Sequence, residues 1–409
     1  MAFKRTLEQA SLDNGDLDEE ALNILRNPIQ QTPSIDNRDT LLSLNMFLSA
    51  SNGSDQIYKN IHENLVKDDP TREFLSHAQV KRKLAELTGV HAIVHEMCPG
   101  SCIAYTGPYS GLESCPECGI SRYNPNKPNK PARQHFYTIP LGPQLQALWR
   151  TPNSAKNMRY RSEKTKEIIE DLASNGTGEI PVYEDMYHGH EYIQAVERGD
   201  IKTDDMVLMF AMDGAQLYRD KQSQCWIYIW VIVDLPPELR YKKRYVLPGG
   251  FIPGPNNPKN TDSFLFPGFH HLAALQKEGL KVWDASRNCL FISRPFLYCG
   301  CADGPGSVHF TGLVGHQGAY PCRLYCGIRG RHKPGVPQYY PALLKPHGYD
   351  VHGCDHGDID PQSIGMGSVQ IYQDNLKHLP NSRHVTEFKK RQRDTGISTI
   401  SIYSGLESC

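Results

Sequence analysis

The sequence predicts a mixed α/β layer, a fold class carried by two observations. Two short apolar runs, Val207–Asp213 and Pro295–Asp303, each end in an aspartate followed by glycine. Between them lie a strongly apolar run at Cys225–Val233, a shorter one at Arg244–Leu247 and a helical stretch at Ser263–Glu278. The resulting order of strand, strand, strand, helix, strand suits a sheet covered by a helix.

The 409 residues have room for two or three domains, and 39% hydrophobic content is enough for a true core. Net charge is −1, so no global positive field announces nucleic acid, although a local basic face would suffice. No apolar stretch reaches membrane-spanning length and no signal-peptide core opens the chain, which leads us to expect a soluble intracellular protein. In that setting the 12 cysteines read as metal ligands more than disulfides.

Residues 1–70 hold 12 Asp/Glu against 6 Lys/Arg and read as an acidic, largely disordered leader with room for short helices. A helix plus a cysteine module is expected over 71–123. Phe74, Leu75, Ala78, Val80, Leu84 and Leu87 recur at helical spacing, Gly89 caps, and His91–Met97 alternates like a strand. Residues 124–204 read as a linker and helical connector. Pro125–Pro131 is too proline-rich for a helix, Ile139–Thr151 reads as a strand end with a short helix, and Ser162–Ser174 is amphipathic.

The core is expected over 205–312. Val207–Met212, Cys225–Val233 and Arg244–Leu247 are its first three strands, the last ended by Pro248-Gly-Gly. A helix follows past Pro267, then a fourth strand at Phe291–Cys301. This is the RNase H-like order, a mixed sheet with aspartates ending its first and fourth strands. Residues 313–409 read as a Cys/His-rich insertion and a basic helical tail, Ser382–Arg393. The heptapeptide Tyr-Ser-Gly-Leu-Glu-Ser-Cys occurs at 109–115 and again at 403–409. Two such distant copies are no structural repeat and suggest a coding sequence that diverges or is interrupted.

Cys98, Cys102, Cys115 and Cys118 form two close pairs, the spacing that wraps one tetrahedral zinc in four thiolates. Such a closed site leaves no open position for chemistry and reads as a structural staple. A looser set comprises His316, Cys322, Cys326, His332, Cys354 and His356, with Cys322 and Cys326 the surest ligands of a second zinc. Cys225, Cys289, Cys299 and Cys301 lie in or beside apolar strands and read as core residues, as do Trp226 and Trp230. Arg240, Lys242, Lys243 and Arg244 are candidate DNA-phosphate contacts, as are Arg329, Arg331 and Lys333. Leu247–Pro255 lacks the Gly-Lys-Ser/Thr of a phosphate loop. Taken alone, Asp213 and Asp303 are turn aspartates before glycine.

Many separate phrases alter that reading of the two aspartates. Met209-Phe-Ala-Met-Asp-Gly-Ala-Gln-Leu-Tyr218, Cys225–Trp230, Asp234-Leu-Pro-Pro-Glu-Leu-Arg-Tyr-Lys-Lys243, Gly249–Pro255, Asp262–Pro267, Ala302–Pro305 and the Cys322/Cys326 pair occur in order. Together with Phe136–Leu145 and the four-cysteine module, they resemble the CACTA (En/Spm-type) transposases, particularly the fungal versions, over roughly residues 75–400. The resemblance implies a DDE-type, RNase H-like core, in which Asp213 and Asp303 are the first two carboxylates holding Mg²⁺ (or Mn²⁺). The reaction it implies is phosphoryl transfer on transposon-end DNA in the nucleus, with self-association open.

The same resemblance calls for a third carboxylate, a glutamate on a helix after the insertion. The only helical acid near the end is Glu387, whose surroundings resemble the insertion rather than the catalytic helix. The chain is therefore expected to be C-terminally truncated. The rival expectation is a catalytically incomplete remnant that keeps zinc and DNA phosphate contacts, and a purely structural zinc protein is a third.

Overall fold

The computed structural model describes residues 2–216, 224–332, 334–340, 342–345, 347–352, 357–365 and 367–406. It contains the strands β1 (Ile93–Met97), β2 (Gln134–Thr138), β3 (Val207–Gln216), β4 (Gln224–Ile232), β5 (Leu247–Pro253), β6 (Leu280–Asp284), β7 (Cys289–Ser293) and β8 (Phe296–Cys301). Six of them form one sheet in the order β1-β2-β5-β4-β3-β8. All neighbours are antiparallel except β3 and β8, which run parallel. The long helix Thr261–Glu278 lies between β5 and β8 in sequence, and β6 and β7 form a separate hairpin after it. The fold is thus mixed α/β.

Alternation along β3 and β4 decides which face is core. Phe210, Met212, Trp226, Tyr228 and Trp230 are buried with Phe264, Phe269 and Leu272 of the long helix. The Phe210 ring meets those of Trp230, Phe269 and Phe310 edge-on, at 5.2 to 5.5 Å between centroids. Such aromatic pairs add about 0.5–1.5 kcal/mol each beyond burial.

The third strand does not run over Arg244–Leu247 and end at Pro248-Gly-Gly: Arg244–Val246 form a turn, and the strand begins at Leu247 and runs through the glycines. A Cβ on Gly249 would stand 2.2 Å from the Tyr228 ring, and one on Gly250 2.4 Å from it. The glycines are there because the buried tyrosine lies against the strand backbone. The long helix likewise runs through Pro267 rather than starting after it. Proline cannot donate to the carbonyl four residues back; that carbonyl, on Ser263, accepts the Thr106 hydroxyl instead. The expected fourth strand is two, β7 and β8, broken at Arg294-Pro295.

The opposite face is covered only at one end. There Val207, Val233 and Phe296 pack with Ile168, Tyr187, Tyr192 and Ile193 from the helices Tyr160–Ser174 and His190–Glu197 and the turn between them. Beyond this patch, toward the end of β3 that carries Asp213, the face opens.

Residues 2–70 form helices rather than a largely disordered leader: Ala2–Leu7, Glu19–Arg26, Arg38–Ser49 and Asp55–Asp68. Phe3, Leu7, Leu12 and Leu25 are sparse in sequence but enter the main core. Lys277 Nζ donates to the Leu7 and Glu8 carbonyls at 3.0 and 2.8 Å, and Glu278 Oε1 accepts from the Leu12 amide at 2.8 Å. The helix His77–Thr88 ends at Gly89 (φ +74°), the expected left-handed cap. Tyr109 and Tyr403, which open the two heptapeptide copies, lie in short turns that both touch Ala2–Leu7 and the long helix. No described helix is long and apolar enough to cross a membrane.

Candidate functional site: a carboxylate pair beside a four-cysteine cluster

Asp213 stands within β3 rather than at its end, on the solvent side, directly opposite Ile227 of β4. Its Oδ1 accepts from the Gly214 amide at 2.7 Å. Asp303 follows β8 and caps the helix Gly304–Thr311, accepting from the Gly306 amide at 2.6 Å. The sequence reading missed that helix, whose signal is Asp-Gly-Pro-Gly, an N-cap with proline at the helix start. The parallel pairing of β3 and β8 reaches Ala211 opposite Cys301. Two residues on, each of these neighbouring strands delivers its aspartate, so both lie toward the same end of the sheet, and both are exposed. Hard oxygen donors of this kind suit Mg²⁺, which protein sites hold through one or two carboxylates plus substrate phosphate.

No third acid among the described residues joins them. Among the described residues, the only group of three or more Cys, His, Asp or Glu side chains with ligand atoms within 4.8 Å of one another is Cys98, Cys102, Cys115 and Cys118. Glu387 is engaged locally, with Arg391 at 2.7 Å and the Arg383 amide at 2.8 Å. Asp262, in the first turn of the long helix, accepts from the Ile402 amide at 3.2 Å. Burial pushes its carboxyl up to about 6, against the opposing pull of that amide.

The Asp262 carboxyl binds more protons folded than unfolded between pH 3.8 and about 6. Stability is therefore lost as pH rises through that window, by an amount on the order of 2–3 kcal/mol. Asp262→Asn keeps an oxygen for the Ile402 amide and removes the charge. Urea midpoints are expected to rise in the variant above pH 6 and to match the parent near pH 4.

The four-cysteine cluster assembles as its spacing predicts. Three of its thiols are buried and Cys118 is exposed, with Cys98 Sγ 3.5 Å from Cys118 Sγ. Sulfurs 2.3 Å from a tetrahedral zinc lie about 3.8 Å apart, so the donor set fits zinc. Each pair sits on a tight turn: Ser101 (φ +58°) donates to the Cys98 carbonyl at 2.9 Å, and Gly119 (φ +72°) to that of Cys115 at 2.8 Å. Burial raises the Cys115 thiol to about 11, and burial with the neighbouring Cys98 raises Cys102. A bound cation is what would hold all four as thiolates.

What the sequence did not foretell is where this module docks. The Cys102 carbonyl accepts from the Lys259 and Asn260 amides at 3.1 and 2.9 Å, just before the long helix. The Ala104 amide donates to Ser263 Oγ at 2.8 Å, and Ser101 Oγ to the Pro253 carbonyl at 3.2 Å. Pro253 pairs with Cys225, and Cys225 with Ala215. The cluster is thereby fixed to the same end of the sheet as Asp213.

Among the described residues, the second cysteine set offers only a pair. Cys322 and Cys326 face one another across a turn in which Tyr325 is left-handed (φ +54°). His316 and His332 do not complete a site with them among the described residues, and Cys354 and His356 lie outside those residues. Trp226 and Trp230 are core as expected, whereas Cys289 is exposed and Cys225, Cys299 and Cys301 are half-buried.

Among the basic residues, Arg240 is not the surface phosphate contact its charge suggests. It is 1% exposed, and its two Nη atoms each donate to Asp185 at 2.9 Å, with further bonds to the Leu235 carbonyl. A guanidinium so enclosed cannot reach DNA. Arg331 is likewise turned inward, onto the carbonyls of Ala342, Leu343 and Gly357, and Lys333 lies outside the described residues. Lys242, Lys243 and Arg244 are exposed, Lys243 reaching Asn52 at 2.7 Å and Arg244 lying over Tyr245.

No curated protein matches the chain. Residues 194–331, which span β3 to β8 and both aspartates, match the model of Transposase family tnp2, and this match supports a transposase family for the chain.

Proposed function

We propose that the protein is a CACTA-type, DDE-like transposase with an RNase H-like core, acting in the nucleus on transposon-end DNA by metal-dependent strand cleavage and transfer. The observation that carries this is the delivery of Asp213 and Asp303 by the adjacent parallel strands β3 and β8, within the stretch matching a transposase family. The strand order β5-β4-β3-β8, with the long helix preceding β8, supports the RNase H-like reading.

Asp213 and Asp303 would hold the divalent cation, Mg²⁺ or Mn²⁺. When bound, such a cation polarises a phosphate and activates the attacking hydroxyl. The β3 backbone fixes Asp213 rigidly, and the cap bond fixes one oxygen of Asp303 while leaving the other for a ligand. The four cysteines would hold zinc as a staple between β1, the end of β5 and the long helix.

One observation favours a second reading, a DNA-binding protein without cleavage. No third carboxylate joins the pair among the described residues. A nicking and strand-transfer assay on transposon-end DNA, with Mg²⁺ or Mn²⁺, separates the two readings. We expect Asp213→Asn and Asp303→Asn to lower cleavage by about 100-fold or more, while salt-sensitive DNA binding remains. Binding without cleavage by the parent protein would select the second reading.

A further inference from the structure

The open face of the sheet carries a row of residues in continuous register that ends at Asp213. Val94 of β1 pairs with Tyr137 of β2, Tyr137 with Phe251 of β5, Phe251 with Ile227 of β4, and Ile227 with Asp213. Directly paired residues point to the same face. Val94 is 55% exposed, Tyr137 45% and Phe251 37%, while the residues beside them in sequence, Phe136 and Ile252, are buried on the other face. Two large aromatic rings on the solvent side of adjacent strands are costly to leave bare, and here they lead across three interstrand steps, about 14 Å, to a carboxylate.

The charge beside the row indicates what covers it. No Asp or Glu occurs between Glu117 and Glu163, and β2 lies inside this stretch. Lys127, Lys130 and Arg133 are exposed on the approach to β2, and His135 stands exposed two residues before Tyr137 on the same face. The acid on the neighbouring strand, Glu96, is neutralised by Arg122. Aromatic rings flanked by cations suit a polyanion with flat, unpaired bases; a duplex offers its bases only at the groove edges.

We propose that this face is a stacking platform for single-stranded DNA, with bases on Tyr137 and Phe251 and the strand led toward Asp213. The proposal rests on the transposase reading for the role of Asp213 but is tested without cleavage. Full-length protein is titrated into a fluorescein-labelled oligothymidylate with no added Mg²⁺, and binding is followed by anisotropy. We expect Tyr137→Ala and Phe251→Ala each to weaken binding by about 5- to 100-fold, and Tyr137→Trp to retain it. Duplex of the same length should be affected far less.

Crosslinking of 5-iodouracil-substituted single strand to the parent protein should map to Tyr137 or Phe251, which guards against variants that fail to fold. The proposal is overturned if folded alanine variants bind like the parent, if the parent does not bind single strand, or if crosslinks fall only elsewhere. It is also overturned if the alanine variants instead dissolve a homo-oligomer in sedimentation, which would make the face a contact between copies. In each of those cases Asp213-dependent cleavage could still be measured, so failure here is distinct from failure of the transposase reading.

Discussion

Removing the metal from the four-cysteine cluster is expected to unseat one end of the sheet, not merely a peripheral loop. Protein purified without chelator should carry one zinc, and Cys102→Ser or Cys115→Ser should carry none. Both thiols are buried, so without a metal the two left-handed turns would be held by their few backbone hydrogen bonds alone. Structural zinc supplies about 10–16 kcal/mol of apparent binding free energy in isolated finger peptides, and that energy is folding energy. Zinc bound here would transmit some of it, because the Cys102 carbonyl receives the Lys259 and Asn260 amides and Thr106 fills the hydrogen-bond gap made by Pro267. The variants should therefore lose several kcal/mol in urea unfolding, and hydrogen exchange should rise at 259–267 as well as at 98–120. Cys289→Ser, at an exposed thiol, should change neither zinc content nor stability. If the cysteine variants lose zinc while 259–267 stays protected, the module is a passive appendage.

The parts of this chain that were legible in sequence are those where local pattern and packing agree. β3 and β4 announce themselves through Phe210, Trp226, Tyr228 and Trp230, whose alternation the core then uses. Asp213 and Asp303 were proposed by resemblance, and the cysteine quartet, which the fold brings together, by spacing that a tetrahedral ion requires. The failures have one cause, tertiary partners that sequence does not display. Gly249 and Gly250 look like a turn unless one knows that Tyr228 lies on them. Pro267 looks like a helix start unless Thr106 is available to its orphaned carbonyl. Phe3 and Leu7 are too sparse to signal order until the long helix offers them a surface. Arg240 carries a charge that composition assigns to solvent, whereas Asp185 draws it inward. The platform of Tyr137 and Phe251 was invisible for the same reason, since its two rings belong to strands far apart in sequence.

Arg161→Met is expected to be the most damaging single change outside the cysteine cluster. Arg161 is 1% exposed and Asp234 3%. Nε donates to Asp234 Oδ1 at 2.8 Å, Nη1 to the Tyr192 hydroxyl at 3.1 Å, and Nη2 to the Asp205 and Thr203 carbonyls at 2.6 and 3.1 Å. The other oxygen of Asp234 accepts the Val207 amide at 2.7 Å. One ion pair thus ties the helix Tyr160–Ser174 to the start of β3 and the end of β4, the strand that carries Asp213 and its partner. Burial works against the guanidinium charge, but Asp234 and Tyr192 outweigh it and hold Arg161 protonated. Removing one member of a buried pair costs about 3–5 kcal/mol, because the other charge is left buried and alone. Removing both and filling the space with apolar side chains often costs little. The double variant Arg161→Met/Asp234→Leu should therefore recover much of what Arg161→Met loses in urea unfolding. It should recover less than all of it, since the Val207 amide and the Asp205 and Thr203 carbonyls keep no partner. Full recovery would mean that the carbonyl and amide bonds contribute nothing. No recovery would mean that those bonds, and not the ion pair, hold the helix to the strand.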